Sequence, residues 1–149
     1  MPMIVRSVRF GDLQVSGDQV FVFPDGLVGF EHLRHFVLVA EEKRPQVIWL
    51  QALADPGLAF AAISPRAVAE QYRLRVARGQ LAPLGRLSGQ PLHVLALLSA
   101  HDGQLWANLK APIVIDQPHA VGCQVISLDD WPVSYPVASL PAEAYRRSA

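Results

Sequence analysis

At 149 residues the chain has the length of one domain, a size that buries about 68–70% of the unfolded surface. Hydrophobic residues make up 51% and charged residues only 17%, which excludes a disordered chain. Lys and Arg balance Asp and Glu at thirteen each, so there is no basic surplus of the kind nucleic-acid binding draws on.

In chain order the pattern is one of short strands. Ile4 to Phe10 largely alternates apolar with polar at period two, the mark of a half-buried strand. Gly11-Asp12 is a turn signal, and Leu13 to Val15 reads as the return strand. Gln19 to Phe23 follows a second turn at Gly17-Asp18. Next comes Phe23-Pro24-Asp25-Gly26-Leu27-Val28-Gly29-Phe30-Glu31, too apolar for an idle loop and too glycine-rich for a strand. Glu31 to His35 reads as one helical turn, Phe36 to Ala40 as a buried strand, and Glu41 to Pro45 as an exposed hairpin tip.

Val47 to Ala52 and Leu58 to Ile63 are paired strands around the turn Asp55-Pro56-Gly57, where proline suits its fixed φ. Ser64-Pro65 stands in N-cap and N1 places before a short helix at 66–71. Tyr72-Arg73-Leu74-Arg75-Val76 alternates as a strand with Arg73 and Arg75 on one face, either a wet outer face or a contact for an acidic partner segment. Residues 80–86 suggest a second short helix, weakened by Pro83. Pro91 to Ser99 is read as a central strand, and strands at 105–109, 112–115 and 122–128 complete the set. Arg146 to Ala149 reads as a loose tail.

Many short strands with hairpin signals predict a mainly β fold, an antiparallel small barrel-like or bent-sandwich structure with a few short helices. One domain is expected over 1–131, with 132–149 as a proline-containing, partly loose C-terminal extension. Cys123 is the lone cysteine, so no internal disulfide forms and a reducing cytoplasm is the expected setting. No apolar run approaches the ~18 residues of a membrane span, and no signal peptide is read at the N-terminus.

Chemistry-bearing patterns are sparse. His32, His35, His93, His101 and His119 are scattered, and a pair at 32 and 35 without a third ligand does not specify zinc. Cys123 lies in an apolar strand with no base nearby in sequence. Asp129 and Asp130 would face opposite ways on a strand. No catalytic site, cofactor or metal is expected.

Two segments carry sharper readings. In the glycine loop, Pro24 fixes φ and Gly26 permits the positive φ of a type II turn, while Gly29 allows a second bend before Phe30. Leu27 and Phe30 either cap a core or belong to a docking surface. In Asn108 to Asp116, Pro112 cannot donate to a ladder, so a break is expected near Lys110-Ala111, with Asn108 bonding nearby backbone. Trp49 is read as core.

The glycine loop, the segment Trp49 to Phe60, the segment Asn108 to Asp116 and Gly122 to Ile126 together resemble, in order and spacing, the signatures of the FliW family of flagellar assembly factors. The resemblance runs from about Ile4 to Leu128. It implies a cytoplasmic regulatory binding protein with two mutually exclusive partners, the translational repressor CsrA and flagellin. Capture of CsrA relieves repression of flagellin translation, and accumulated flagellin takes the factor back. Neither direct nucleic-acid nor membrane binding is implied. Alternatives are a flagellin chaperone without CsrA antagonism, or a direct RNA-binding module in which Tyr72 and the arginines share a face. The partner-binding residues expected are Pro24, Gly26, Leu27, Gly29, Phe30, Glu31, Asn108, Arg73 and Arg75. Against the family pattern, Val28 replaces a common proline, Asp116 a common asparagine, and the charge is balanced where acidic members are frequent.

Overall fold

The computed structural model describes residues 2–145. Its strands are β1 (Pro2–Val5), β2 (Leu13–Ser16), β3 (Val20–Val22), β4 (His35–Ala40), β5 (Val47–Ala52), β6 (Ala59–Ile63), β7 (His93–His101), β8 (Gln104–Ala107), β9 (Ile113–Asp116), β10 (Val121–Gln124) and β11 (Tyr135–Val137). Short 3-10 turns cover Gly17–Gln19, Pro65–Ala67, Ala82–Leu84 and Ala142–Tyr145. The fold is mainly β, as expected.

Strands β3, β4, β5, β6, β7, β9 and β10 close into a barrel. Every pairing around the ring is antiparallel except the closing one, where β10 meets β3 in parallel through Val121 and Val22. Strand β7 is long enough to serve two neighbours on one edge. His93–Leu95 pairs with β9, and Leu98–His101 pairs with β8. Strand β8 carries β11, so these two project beyond the ring.

Alternation along the strands fills the barrel. Phe36, Leu50, Ala52, Ala62, Ile113 and Ile115 point inward with Phe21 and Phe23, since side chains two apart share a face. The opposite face of β5 and β6, with Trp49, Ala61 and Ile63, packs under Tyr72, Leu140 and Tyr145 in a second core. With both faces of these strands covered, the sequence there reads as apolar runs, broken only by Gln51, rather than as alternation.

Several expected elements change. The period-two pattern continues to Phe10, yet β1 stops at Val5. There the Ser7 hydroxyl turns inward to Gln51 Oε1 at 2.7 Å, and the Val8 amide donates to the Pro56 carbonyl at 2.8 Å. These bonds pin the β1–β2 hairpin to the barrel and divert the chain from a ladder. Tyr72–Val76 keeps its alternation, with Arg73 and Arg75 exposed and Tyr72 buried, but it forms only an isolated bridge from Val76 to Ser127. The helix at 66–71 shrinks to Pro65–Ala67, Ser64 makes no capping bond, and that at 80–86 shrinks to Ala82–Leu84 around Pro83.

Beyond Trp131, where an extension was expected to start, Tyr135–Val137 joins the sheet. Val137, Leu140 and Tyr145 are buried, and the Tyr145 ring stacks on Trp49 with centroids 5.9 Å apart. The tail at 146–149, including Arg146 and Arg147, lies outside the described residues.

Candidate functional site

The glycine loop caps one end of the barrel. Phe23 N donates to Arg34 O at 2.8 Å and closes the loop at its base. Gly26 N then donates to Phe23 O at 2.8 Å, which makes Phe23–Gly26 the first turn. Asp25, its third residue, does not have positive φ, so the turn is not type II. It has Pro24 second and Gly26 fourth, the type I order. The type II pattern comes one turn later: Phe30 N donates to Leu27 O at 2.7 Å, with Gly29 third at φ +86.

Gly26 is required twice over. Its φ is +65, and a Cβ there would lie 2.7 Å from both Glu31 Cα and Phe30 O. Leu27 is buried in the barrel core, and Phe30 meets Phe60 edge-on at 5.0 Å. Pro24 is half-buried, Val28 and Gly29 are exposed, and exposed Glu31 accepts a bond from Gly29 N at 2.9 Å. That bond, with one from its own backbone amide and the nearby His32, holds the Glu31 carboxyl below its ordinary range. The loop therefore both plugs the core and presents a fixed outer edge.

The second motif lies beside the first. Asn108 Oδ1 accepts from Lys110 N at 3.1 Å and Ala111 N at 2.9 Å, so the chain breaks between β8 and β9 as expected. Gln124 on β10 bridges the two segments: its Nε2 donates to Ala111 O at 2.9 Å, and its Oε1 accepts from Val28 N at 2.8 Å. The sequence reading missed Gln124, though a polar residue inside an apolar strand-like run was the available signal. Val28 at the loop tip and Ile126, two residues beyond Gln124, are 69% and 46% exposed, and Leu128 follows at 56%. Ser127 N, between Ile126 and Leu128, donates to Lys110 O at 2.8 Å, so both exposed side chains flank the Lys110 segment.

The two arginines are not equivalent. Arg75 forms a fork on Asp129, with Nε 3.1 Å from each carboxylate oxygen. The guanidinium holds the Asp129 carboxyl below its ordinary range. Arg73, among the described residues, makes no ion pair; it lines a shallow recess with Gln71, Asp129, Asp130 and Trp131. Tyr72 is buried on the opposite side, its hydroxyl donating to Leu109 O at 2.8 Å and its ring against Trp131. It therefore offers no stacking platform next to the arginines, which removes the convergence a direct RNA-binding reading requires.

Two of the remaining reactive side chains, Cys123 and Asp116, are buried. Cys123 is buried, and burial, with Asp25 nearby, pushes its thiol up to about 11. Buried Asp116 accepts from Ser88 Oγ at 2.6 Å and Ser88 N at 3.0 Å, with His119 Nδ1 at 3.3 Å. The carboxylate sits between hydroxyl and imidazole, so the imidazole is not poised to activate the hydroxyl as a nucleophile-base pair would be. Among the described residues no group of three His, Cys, Asp or Glu is placed to hold a metal ion. No described helix is long and apolar enough to cross a membrane.

The model of the FliW protein family matches residues 4–137. The chain belongs to the FliW family. The flagellar assembly factor FliW of Leptospira biflexa is 31% identical over 133 residues, covering 87% of both chains. That of Thermotoga neapolitana is 33% identical over 126 residues, covering 83% of this chain and 85% of the relative. A crystal structure of the flagellar assembly factor FliW superposes with a TM-score of 0.83 at 26% identity, over 90% of this chain and 96% of the other. The FliW match reaches Val137 and so includes β11, beyond the end that the sequence resemblance suggested.

Proposed function

We propose that this FliW-family chain acts by binding CsrA and flagellin in mutually exclusive fashion, and that capture of CsrA relieves repression of flagellin translation in the cytoplasm. The observation that carries the reading is the meeting of two family motifs through Gln124, which ties the loop edge at exposed Val28 to the Asn108 segment. A loop pinned to the barrel loses little entropy on docking, and exposed apolar side chains such as Val28 and Ile126 suit a protein contact. Pro24, Gly26, Leu27, Gly29, Phe30, Glu31 and Asn108 shape that edge. Leu27 and Gly26 act from below the surface, by setting the loop's path.

Arg73 is the better placed of the two arginines for an acidic partner segment, since Arg75 is committed to Asp129. Replacing Val28 and Ile126 together by aspartate should weaken flagellin or CsrA binding at least tenfold in calorimetric titration, with the fold intact by circular dichroism. Unchanged affinity for both partners would remove this surface from the account. Flagellin binding without CsrA binding would leave the chaperone reading instead. A gel shift of flagellin leader RNA by the chain alone would favour the RNA-binding alternative.

A further inference from the structure

The barrel is packed unequally along its axis. At the end capped by the glycine loop, Phe23, Phe36, Phe60 and Phe30 meet edge-on with centroids 5.0–6.3 Å apart. At the other end the inward positions of four strands carry shorter side chains. Leu38 on β4, Ile48 on β5, Leu95 on β7 and Ile115 on β9 surround a cavity of about 310 Å³. All four belong to the inward-facing set: Ala40 lies opposite Ile48 in the β4–β5 register, and His93 opposite Ile115 in the β7–β9 register. Aliphatic side chains of this length do not span the barrel as the phenylalanines do.

The rim of the cavity is polar. His93 and Gln117 occupy the next inward positions beyond Leu95 and Ile115 and line the same space. Both are exposed, and neither side chain hydrogen-bonds a described residue. Small-molecule sites are cavities of about 300 Å³ and upward, with aliphatic walls and a few orienting polar groups, and barrel mouths are a common place for them.

We propose that the open mouth of this barrel binds a short aliphatic chain with a hydrogen-bond-accepting head. The chain lies against Leu38, Ile48, Leu95 and Ile115, and the head meets the His93 imidazole and the Gln117 amide. Aliphatic walls below a polar rim, in a space of about 310 Å³, match a small molecule with an apolar body and a polar head. This site is at the end of the barrel opposite the glycine loop and stands independently of the partner-binding reading.

Straight-chain carboxylates from acetate to decanoate, titrated into methyl-labelled protein below their micelle concentrations, test this. Each methylene buried should tighten binding about two- to fourfold, until the cavity is full and the gain stops. Methyl shifts should be confined to Leu38, Ile48, Leu95 and Ile115. Ala40→Trp, at an exposed position on the mouth, should abolish the shifts while leaving the circular dichroism unchanged. His93→Ala should weaken octanoate about threefold, the effect of one hydrogen bond. Shifts scattered over the surface, affinity rising without limit along the series, or binding unaffected by Ala40→Trp would each overturn the proposal, as would the absence of any shift with octanoate.

Discussion

Two glycines in one loop show how much of this structure is decided by single atoms. Gly26 and Gly29 both have positive φ, but a Cβ on Gly26 would strike the backbone at Glu31 and Phe30, while one on Gly29 would meet nothing within 4 Å. Gly26→Ala should therefore cost about 3 kcal/mol in urea denaturation, and Gly29→Ala about 1 kcal/mol, the conformational part alone. Equal losses would mean that the close approach does not matter. Gln51 is a second such residue: wholly buried, it accepts from Ser7 and places its amide among the carbonyls of Ala52, Asp55, Pro56 and Leu58. Gln51→Leu leaves these groups without the partner, and should lower stability by about 2 kcal/mol or more.

Asp116 gives the residue scale a pH dependence. The Ser88 hydroxyl, then the Ser88 amide and His119, hold the buried carboxyl below its ordinary range against the opposing effect of burial. A depressed folded pKa means that its contribution is complete above the unfolded carboxylate value and is lost as pH falls through the folded one. Ser88→Ala should reduce stability at neutral pH and flatten the acid limb of a stability-versus-pH curve. An unchanged acid limb would show that Ser88 does not set this carboxyl's affinity for protons.

At the scale of elements, the strands legible in sequence were those whose apolar residues had nowhere to go but a core. Val47–Ala52 came out with its observed limits, because both its faces are buried. Sequence pattern failed where a few long-range bonds redirect the backbone. The run at 4–10 alternates like a strand, but its second half is claimed by Gln51 and Pro56, some forty residues on. Strand β11 was hidden by its brevity and by Pro136, features that suit an edge strand as well as a loose tail.

The candidate site was legible in part. Its glycines and Asn108 announced themselves through backbone geometry, whereas Gln124 acts only across space. Gln124→Ala should free the loop: amide exchange at Val28 is expected to quicken roughly threefold, the effect of one hydrogen bond, with little change in global stability. Exchange at Val28 that stays slow would mean that the loop holds its shape unaided.

For the whole molecule, the central feature is a barrel with two differently finished ends. One end is closed by phenylalanines under a glycine loop that is pinned to the neighbouring Asn108 segment; the other is walled by shorter aliphatics and rimmed by His93 and Gln117. A closed barrel whose pinned loop exposes Val28 suits a protein that works by holding one partner or another. Such a switch needs only that occupancy by one partner lowers affinity for the second.

The most direct test is a competition experiment by calorimetry, with flagellin titrated into the complex of this chain with CsrA from the same organism. The account predicts that each partner binds alone and that flagellin displaces CsrA. Simultaneous binding of both with undiminished affinity would contradict it.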